Sequence, residues 1–376
     1  MAFFLTRFPF MERIFYRIEG LFKPPIKLPP DSERSEVKLP PEGETISVEI
    51  ALNSRCTSDY DGNPRKFHWG IFDPTRKLSD NQIKKIIRLA RIPRFTDKKV
   101  EIQPDHTMLT FMVDKHVSGI IRDWMMVESG MQQQAVGLVC AALGVGMVFR
   151  NLGKDGTPIS DTELGTVRFK LDAMKPTYDG SFWSSFSPAG GKPWVKGNLP
   201  DPIRDGETPL IVALSGLKVE NKGSKKATEQ PVSQLLWAAR GRTPHLYKST
   251  PWGMTIPAWG GQQDISSVYF ISHNKLWKYI NWNNNRPTHS LLELDKVDNN
   301  LINKVTKSFF SFDRFIVLGK NEGFGRAFWE VGYQLLNLLL QAQALEIPYE
   351  AALLDESHKS VLSGIGIDDP VAIFAI

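Results

Sequence analysis

Cysteine is almost missing from this chain: Cys56 and Cys140 are the only two among 376 residues. Such a pair supports neither a disulfide framework nor a thiolate metal cluster, and it fits a reducing cytoplasm. The seven histidines show no His-x-x-x-His or Glu-x-x-His spacing, so no metal centre is written into a local motif. A Gly-x-Ser-x-Gly elbow and a Gly-x-x-x-x-Gly-Lys-Ser/Thr loop are both absent, which removes the local signatures of serine hydrolysis and of P-loop phosphate chemistry. Apolar runs of bilayer length are lacking as well. The longest, residues 135–149, stops at Arg150 and reads as a buried core helix. Nor is there a strong charge bias: the net charge is +5 with its basic residues scattered, which marks no nucleic-acid groove.

What remains is a chain with 41% apolar and 11% aromatic content, enough for a large core and long enough for two domains or two fused copies of one. At the N-terminus, Phe10, Met11, Ile14, Phe15, Ile18, Leu21 and Phe22 fall on one helical face, with Glu12, Arg13, Arg17 and Glu19 outside it. Such a helix docks on the body of the protein, on a membrane surface or on a partner. It has no small-residue cleavage site, and its charges interrupt any signal-peptide core. A proline-rich linker follows (KPPIKLPP), and the body starts near Gly43. Residues 176–209 are rich in Gly, Pro, Ser and Trp. They read as an arm or lid packed on the body, because a disordered tether would not carry Phe182, Trp183, Phe186 and Trp194.

The strongest internal signal is a repeat. The runs ESGMQQQAVGLVCAALGV, from Glu128, and EVGYQLLNLLLQAQALEI, from Glu330, superimpose without a gap at an offset of 202 residues. Glu128/Glu330, Gly130/Gly332, Gln132/Gln334, Leu138/Leu340, Ala142/Ala344 and Leu143/Leu345 are identical, and several other positions exchange one apolar residue for another. Upstream, IIRLAR ending at Arg91 corresponds to LLWAAR ending at Arg240. Each run closes a helix with a polar cap, at Ser79-Asp80 and at Ser233. A proline-marked loop and a strand follow each, the strands lying at residues 108–113 and 267–271. The order helix, loop, strand, long apolar helix thus occurs twice.

The second half carries an ordered set of strings: SQLLWAARG from Ser233, TIPAWGG from Thr255, the strand SVYFI, NKLWKY from Asn274, His289-Ser290-Leu291, and the helix bearing Gly332, Gln334, Asn337 and Gln341. This set resembles the FMN-dependent nitroreductase superfamily, nearest its azoline dehydrogenase-like branch. The first half resembles the same family more faintly, through Asn53-Ser54-Arg55-Cys56-Thr57-Ser58, the helix at residues 78–91 and the Gly130 helix. The resemblance implies an α+β fold of two tandem nitroreductase-like α/β sandwich modules forming an intrachain pseudo-dimer. Residues 1–42 would be the N-terminal helix and linker, 43–175 the first module, 176–209 the connecting arm and 210–376 the second module.

A flavin needs a cationic grip on its phosphate and an apolar slot with close backbone approach to its ring. Arg55, with Ser54 or Ser58 beside it, has the residue types for the first need. The resemblance adds Arg168 and Lys170, which sit where the family supplies a second phosphate grip. Pro257, Ala258, Trp259, Gly260 and Gly261 have the composition of a ring-facing loop, although Ala258 replaces the family's serine and Trp259 is bulky. In the family the grip of one subunit works with the loop of the other, so Arg55, Arg168 and Lys170 would face residues 257–261. The complementary pair, Lys218 with Pro93, has lost both ends, and one FMN per chain is expected. Tyr247, Lys248, Tyr279 and His289 are candidates for proton delivery. The implied function is hydride transfer between NAD(P)H or an organic substrate and an acceptor in a cytoplasmic monomer. The alternatives are a flavin-binding or flavin-storage protein with degenerate activity, and a partner-binding scaffold that works through its N-terminal helix.

Overall fold

Both glycine-led runs become long helices, and they lie against each other. The computed structural model describes residues 30–39, 41, 46–55, 76–105, 108–114, 116–150, 163–173, 198–243, 253–257, 265–283, 286–294, 300, 312–321 and 325–376. Its helices are α1 (Val48–Ser54), α2 (Asp80–Leu89), α3 (Gly119–Ala142), α4 (Leu210–Ser215), α5 (Glu229–Arg240), α6 (Gly325–Ala344) and α7 (Glu356–Gly364). Within the described residues, helix and sheet are mixed throughout. The N-terminal amphipathic helix and linker expected in residues 1–42 lie largely outside them, as does most of the arm expected at 176–209.

Helices α3 and α6 cross where each has a glycine, because only a residue without Cβ lets two helix backbones approach this closely. A Cβ on Gly130 would stand 2.7 Å from Trp329 Cα and nearer still to the Trp329 carbonyl oxygen; one on Gly332 would stand 2.8 Å from Met131 N and nearer still to the Val127 oxygen. The contact is reciprocal. Gly332 and Trp329 are the residues 202 beyond Gly130 and Val127, so each glycine meets the same relative position on the facing helix. A second reciprocal contact joins the starts of α1 and α4: Val48 N donates to Thr208 O at 3.0 Å, and Leu210 N donates to Ile46 O at 2.9 Å, around a bridge between Ser47 and Pro209.

Strands β1 (Ser35–Glu36) and β2 (Arg76–Lys77) form a short parallel pair. Strands β3 (Glu101–Asp105), β4 (Met108–Met112), β5 (Val145–Arg150) and β6 (Glu163–Ala173) make a four-stranded sheet in the order β3-β4-β6-β5. Strands β7 (Glu220–Asn221), β8 (Ser266–Ser272), β9 (Lys275–Asn283), β10 (Arg286–Glu293), β11 (Arg314–Lys320), β12 (Tyr349–Leu353) and β13 (Pro370–Ala375) make a seven-stranded sheet in the order β10-β9-β8-β11-β13-β12-β7.

The period of two along its central strands divides the core. Val268, Phe270, Ile316, Leu318, Ala372 and Phe374 face the main core that contains α3, α5 and α6. Their sequence neighbours Tyr269, Ile271, Phe315, Val317, Ile373 and Ala375 face a smaller core closed by Leu362 and Ile365 at the end of α7. Both faces of these strands are therefore buried, which explains why they read as continuous apolar runs.

Three expectations need correction. The apolar run 135–149 is not one helix: α3 ends at Ala142, Gly144 takes φ +69°, and Val145 opens β5. A glycine in the left-handed region stops the helix, and the β-branched Val145 and Val148 suit the strand that follows. Ser233 does not cap its helix; α5 begins at Glu229 after Thr228, with Pro231 tolerated in the first turn, and Ser233 is buried inside. The strand signal before the second long helix is one of four strands, β8 to β11, where the first half has β3 and β4. The cap at Ser79 is as expected, and Gln82 completes a capping box with it. No helix among the described residues is long and apolar enough to cross a membrane.

Candidate functional site

Arg55 is the last described residue after α1, and it sits where the chain's two halves meet. Its backbone N–H closes the helix on Ala51 O. The guanidinium, 3% exposed, reaches across about 200 residues of sequence. Nη2 donates to Met254 O at 2.9 Å and Nε to Thr255 O at 3.4 Å. These acceptors lie just ahead of Pro257, the first residue of the stretch 257–261 expected to face Arg55, and 258–261 lie outside the described residues. Pro257 itself is buried.

Thr255 O is the hub of this junction. It also accepts from Gln134 Nε2 on α3 at 3.0 Å and from Asn337 Nδ2 on α6 at 3.2 Å. The two amides bond each other, Gln134 Nε2 donating to Asn337 Oδ1 at 2.9 Å, and Asn337 Nδ2 donates to Ala238 O at 2.9 Å. Residues 253–255 are paired to the end of α5 as well: Thr243 N donates to Gly253 O and Thr255 N to Gly241 O, each at 3.0 Å. One short segment is therefore held by α1, α3, α5 and α6 together.

Among the described residues, Gln134 Oε1 and Thr243 Oγ1, on residues bonded to this segment, and Ser54 Oγ, next to Arg55, are buried with no hydrogen-bond partner. An unpartnered buried polar atom costs roughly 1–3 kcal/mol, so three beside one loop point to a polar ligand or ordered water. Ser54 and Arg55, flagged by their residue types, are here together. Gln134 and Thr243 are not among the expected site residues, and Asn337 stands in the sequence only as part of the helix string that carries the resemblance. The available signal was the glutamine-rich stretch 132–134 inside an otherwise apolar helix, polar residues that a buried helix carries only with partners to meet.

In β6, Arg168 pairs with Met108 and Val148 on its two neighbouring strands, and Lys170 pairs with Gly146. Ser58, Ala258, Trp259, Gly260 and Gly261 lie outside the described residues, as do Tyr247 and Lys248.

The other two proton-delivery candidates are close to each other and sealed in the core. Tyr279 Oη and His289 Nδ1 are 2.7 Å apart, and His289 Nε2 lies 2.7 Å from Ser233 Oγ, which also reaches Pro200 O. Since Ser233 gives its proton to Pro200 O, His289 donates through Nε2 and accepts the tyrosine proton at Nδ1. Burial, with the charge of Arg204 behind it, pulls the His289 pKa down to about 3, and burial pushes the Tyr279 phenol up. This network fixes residues 198–203 to the body. Leu199 N donates to His289 O, and the Asn198 amide pairs with both backbone groups of Leu291.

At the positions related by the internal repeat, the residues differ. Counting from the reciprocal pair Val48 and Leu210, the position of Arg55 is taken by Leu217. Glu128 fills the backbone donors of the first-half loop, accepting from Phe95 N at 2.6 Å and Thr96 N at 2.9 Å. Burial raises its carboxyl pKa against those hydrogen bonds. Glu330, its counterpart at the 202 offset, is paired instead with Arg240 at 2.7 Å and with Ser266 Oγ at 2.8 Å.

Among solved structures, the chain is similar to three proteins described as nitroreductases. A candidate nitroreductase from Ralstonia eutropha shares 19% identity over 47% of this chain and 86% of its own, with a TM-score of 0.35. One from Anabaena variabilis shares 12% over 71% of this chain and 68% of its own, at 0.48. A third, from Thermotoga maritima, shares 12% over 88% and 94%, at 0.38. No family model matches the chain, and no curated protein does.

Proposed function

We propose that this chain is an FMN-dependent oxidoreductase of the nitroreductase type, formed by two tandem modules, 43–175 and 210–376, that make a pseudo-dimer within one monomer and hold one FMN. The observation that carries this reading is the bond from Arg55 to Met254 and Thr255, which joins the cation of one half to the loop of the other. Reciprocal contacts at Gly130 and Gly332 and at Val48 and Leu210 support a duplicated architecture. The difference between Arg55 and Leu217, and the carboxylate of Glu128 on the first-half loop, support a single competent cleft.

The donor set fits the phosphate end of FMN. Ser54 offers a buried hydroxyl with no partner among the described residues, and Arg55 beside it offers permanent positive charge. Arg168 and Lys170 are the proposed second grip, and residues 257–261 the ring-side loop. When bound, FMN supplies hydride transfer between NAD(P)H or an organic substrate and an acceptor. The chain's part is to anchor the phosphate, hold the loop rigid through Thr255 and keep water from the junction. A flavin-storage role is the second reading, favoured by one observation: Tyr279 and His289 are locked in a closed buried network and have no proton to offer a substrate.

Flavin titration of the purified chain tests the proposal. We expect one FMN per monomer, with affinity lost in Arg55→Ala; no binding at saturating FMN, or two FMN per chain, would refute it. Sustained NAD(P)H oxidation with an added acceptor separates the enzyme from the storage protein.

A further inference from the structure

Gln134 has one side of its amide committed and the other side not. Its Nε2 faces two acceptors, Thr255 O and Asn337 Oδ1, so the orientation of the amide is dictated and Oε1 turns away from the hub. That oxygen is buried and has no hydrogen-bond partner among the described residues, in a side chain with 0% exposure, on the helix that supports the segment leading into residue 257. A carbonyl oxygen so placed wants an N–H.

We infer that Gln134 is a ligand-recognition residue of this site: its Oε1 accepts a hydrogen bond from a ring N–H of the bound cofactor while its Nε2 holds the loop beside that ring. The inference rests on the flavin reading above. Flavin offers this chemistry from two places: an imide N–H present in both oxidation states, and ring N–H groups present only after two-electron reduction.

The experiment titrates FMN into the wild-type chain, Gln134→Leu and Gln134→Glu, and measures the midpoint potential of each loaded protein. Gln134→Leu removes both the acceptor and the loop bond; Gln134→Glu keeps an acceptor oxygen but sets a second one against Thr255 O and Asn337 Oδ1, so it too loses the loop bond and should bind no better than Gln134→Leu. An imide partner predicts that Gln134→Leu weakens oxidised FMN about tenfold with the potential unmoved, the scale of one buried hydrogen bond. A partner on the reduced ring predicts an unchanged affinity for oxidised FMN and a lowered potential. Asn337→Leu loosens the loop but spares the acceptor, and therefore reports the loop's own contribution. Wild-type affinity and potential in Gln134→Leu would overturn the inference while leaving the flavin reading standing; a wild-type chain that binds no FMN would overturn the flavin reading itself. An Asn337→Leu variant that reproduced every change seen in Gln134→Leu would reduce Gln134 to a structural strut and also overturn the inference.

Discussion

Gly332→Ala probes the seam on which the two halves rest. In an exposed helix this substitution stabilises by about 1 kcal/mol, because alanine loses less backbone entropy than glycine. Here the added methyl would press on the Val127 carbonyl and stand 2.8 Å from Met131 N and 3.0 Å from Gly130 Cα. All three are backbone atoms, which cannot rotate aside as a side-chain tip does, so α3 and α6 must separate along a contact that is buried on both sides. Overpacking of side chains alone costs roughly 1–3 kcal/mol, and a backbone clash in the middle of the core belongs at or above the upper end of that range. We expect a net loss of about 3 kcal/mol, read as a lower urea midpoint at unchanged slope. Gly130→Ala should behave alike, through Trp329. Because both glycines serve one seam, the double variant should lose less than the sum of the two, as helices already forced apart accept the second methyl more readily. A Gly332→Ala protein as stable as the wild type, or strictly additive losses, would show that the backbones do not touch as described.

Two further outcomes follow from buried charge. Arg240→Ala removes the guanidinium bonded to Glu330 in the core, and a loss of about 3–5 kcal/mol is expected, with partial recovery in Arg240→Ala/Glu330→Gln; equal stabilities for the single variant and the wild type would contradict the ion pair. His289 has an ordinary value of 6.5 in the unfolded chain and about 3 in the fold, so the unfolded state binds its proton first. The His289 contribution is complete above about pH 6.5 and is lost as pH falls toward 3, on the order of 3–5 kcal/mol in all. The raised carboxyls of Glu49 and Glu128 act in the opposite sense. Comparison with His289→Gln isolates the term: that variant should show a flatter decline between pH 6 and pH 4, and an identical slope would refute the assignment.

What the sequence disclosed, and what it hid, follows from the range of each interaction. The Ser79 cap, the glycine-led helices and the strand at residues 266–272 carry local signals of capping, periodicity and β-branching, and each was legible. Gly144 was harder to read, since an apolar run conceals the change of period from helix to strand until the turn is seen. Ser233 has the chemistry of a cap and is used instead to pin Pro200 and His289, a choice made by tertiary partners. The Thr255 hub was invisible for the same reason: its donors come from residues 55, 134 and 337, and the acceptor is a backbone carbonyl that any residue would provide. Arg55 could be picked out by type, whereas its partners could not.

The double approach at Gly130 and Gly332 also limits how this molecule can move. Sliding one long helix along the other would drive a side chain into the facing backbone within a single residue step, so this seam offers no track for shear. The crossed helices therefore serve as a fixed axle, and any rearrangement of the molecule has to leave this crossing in place.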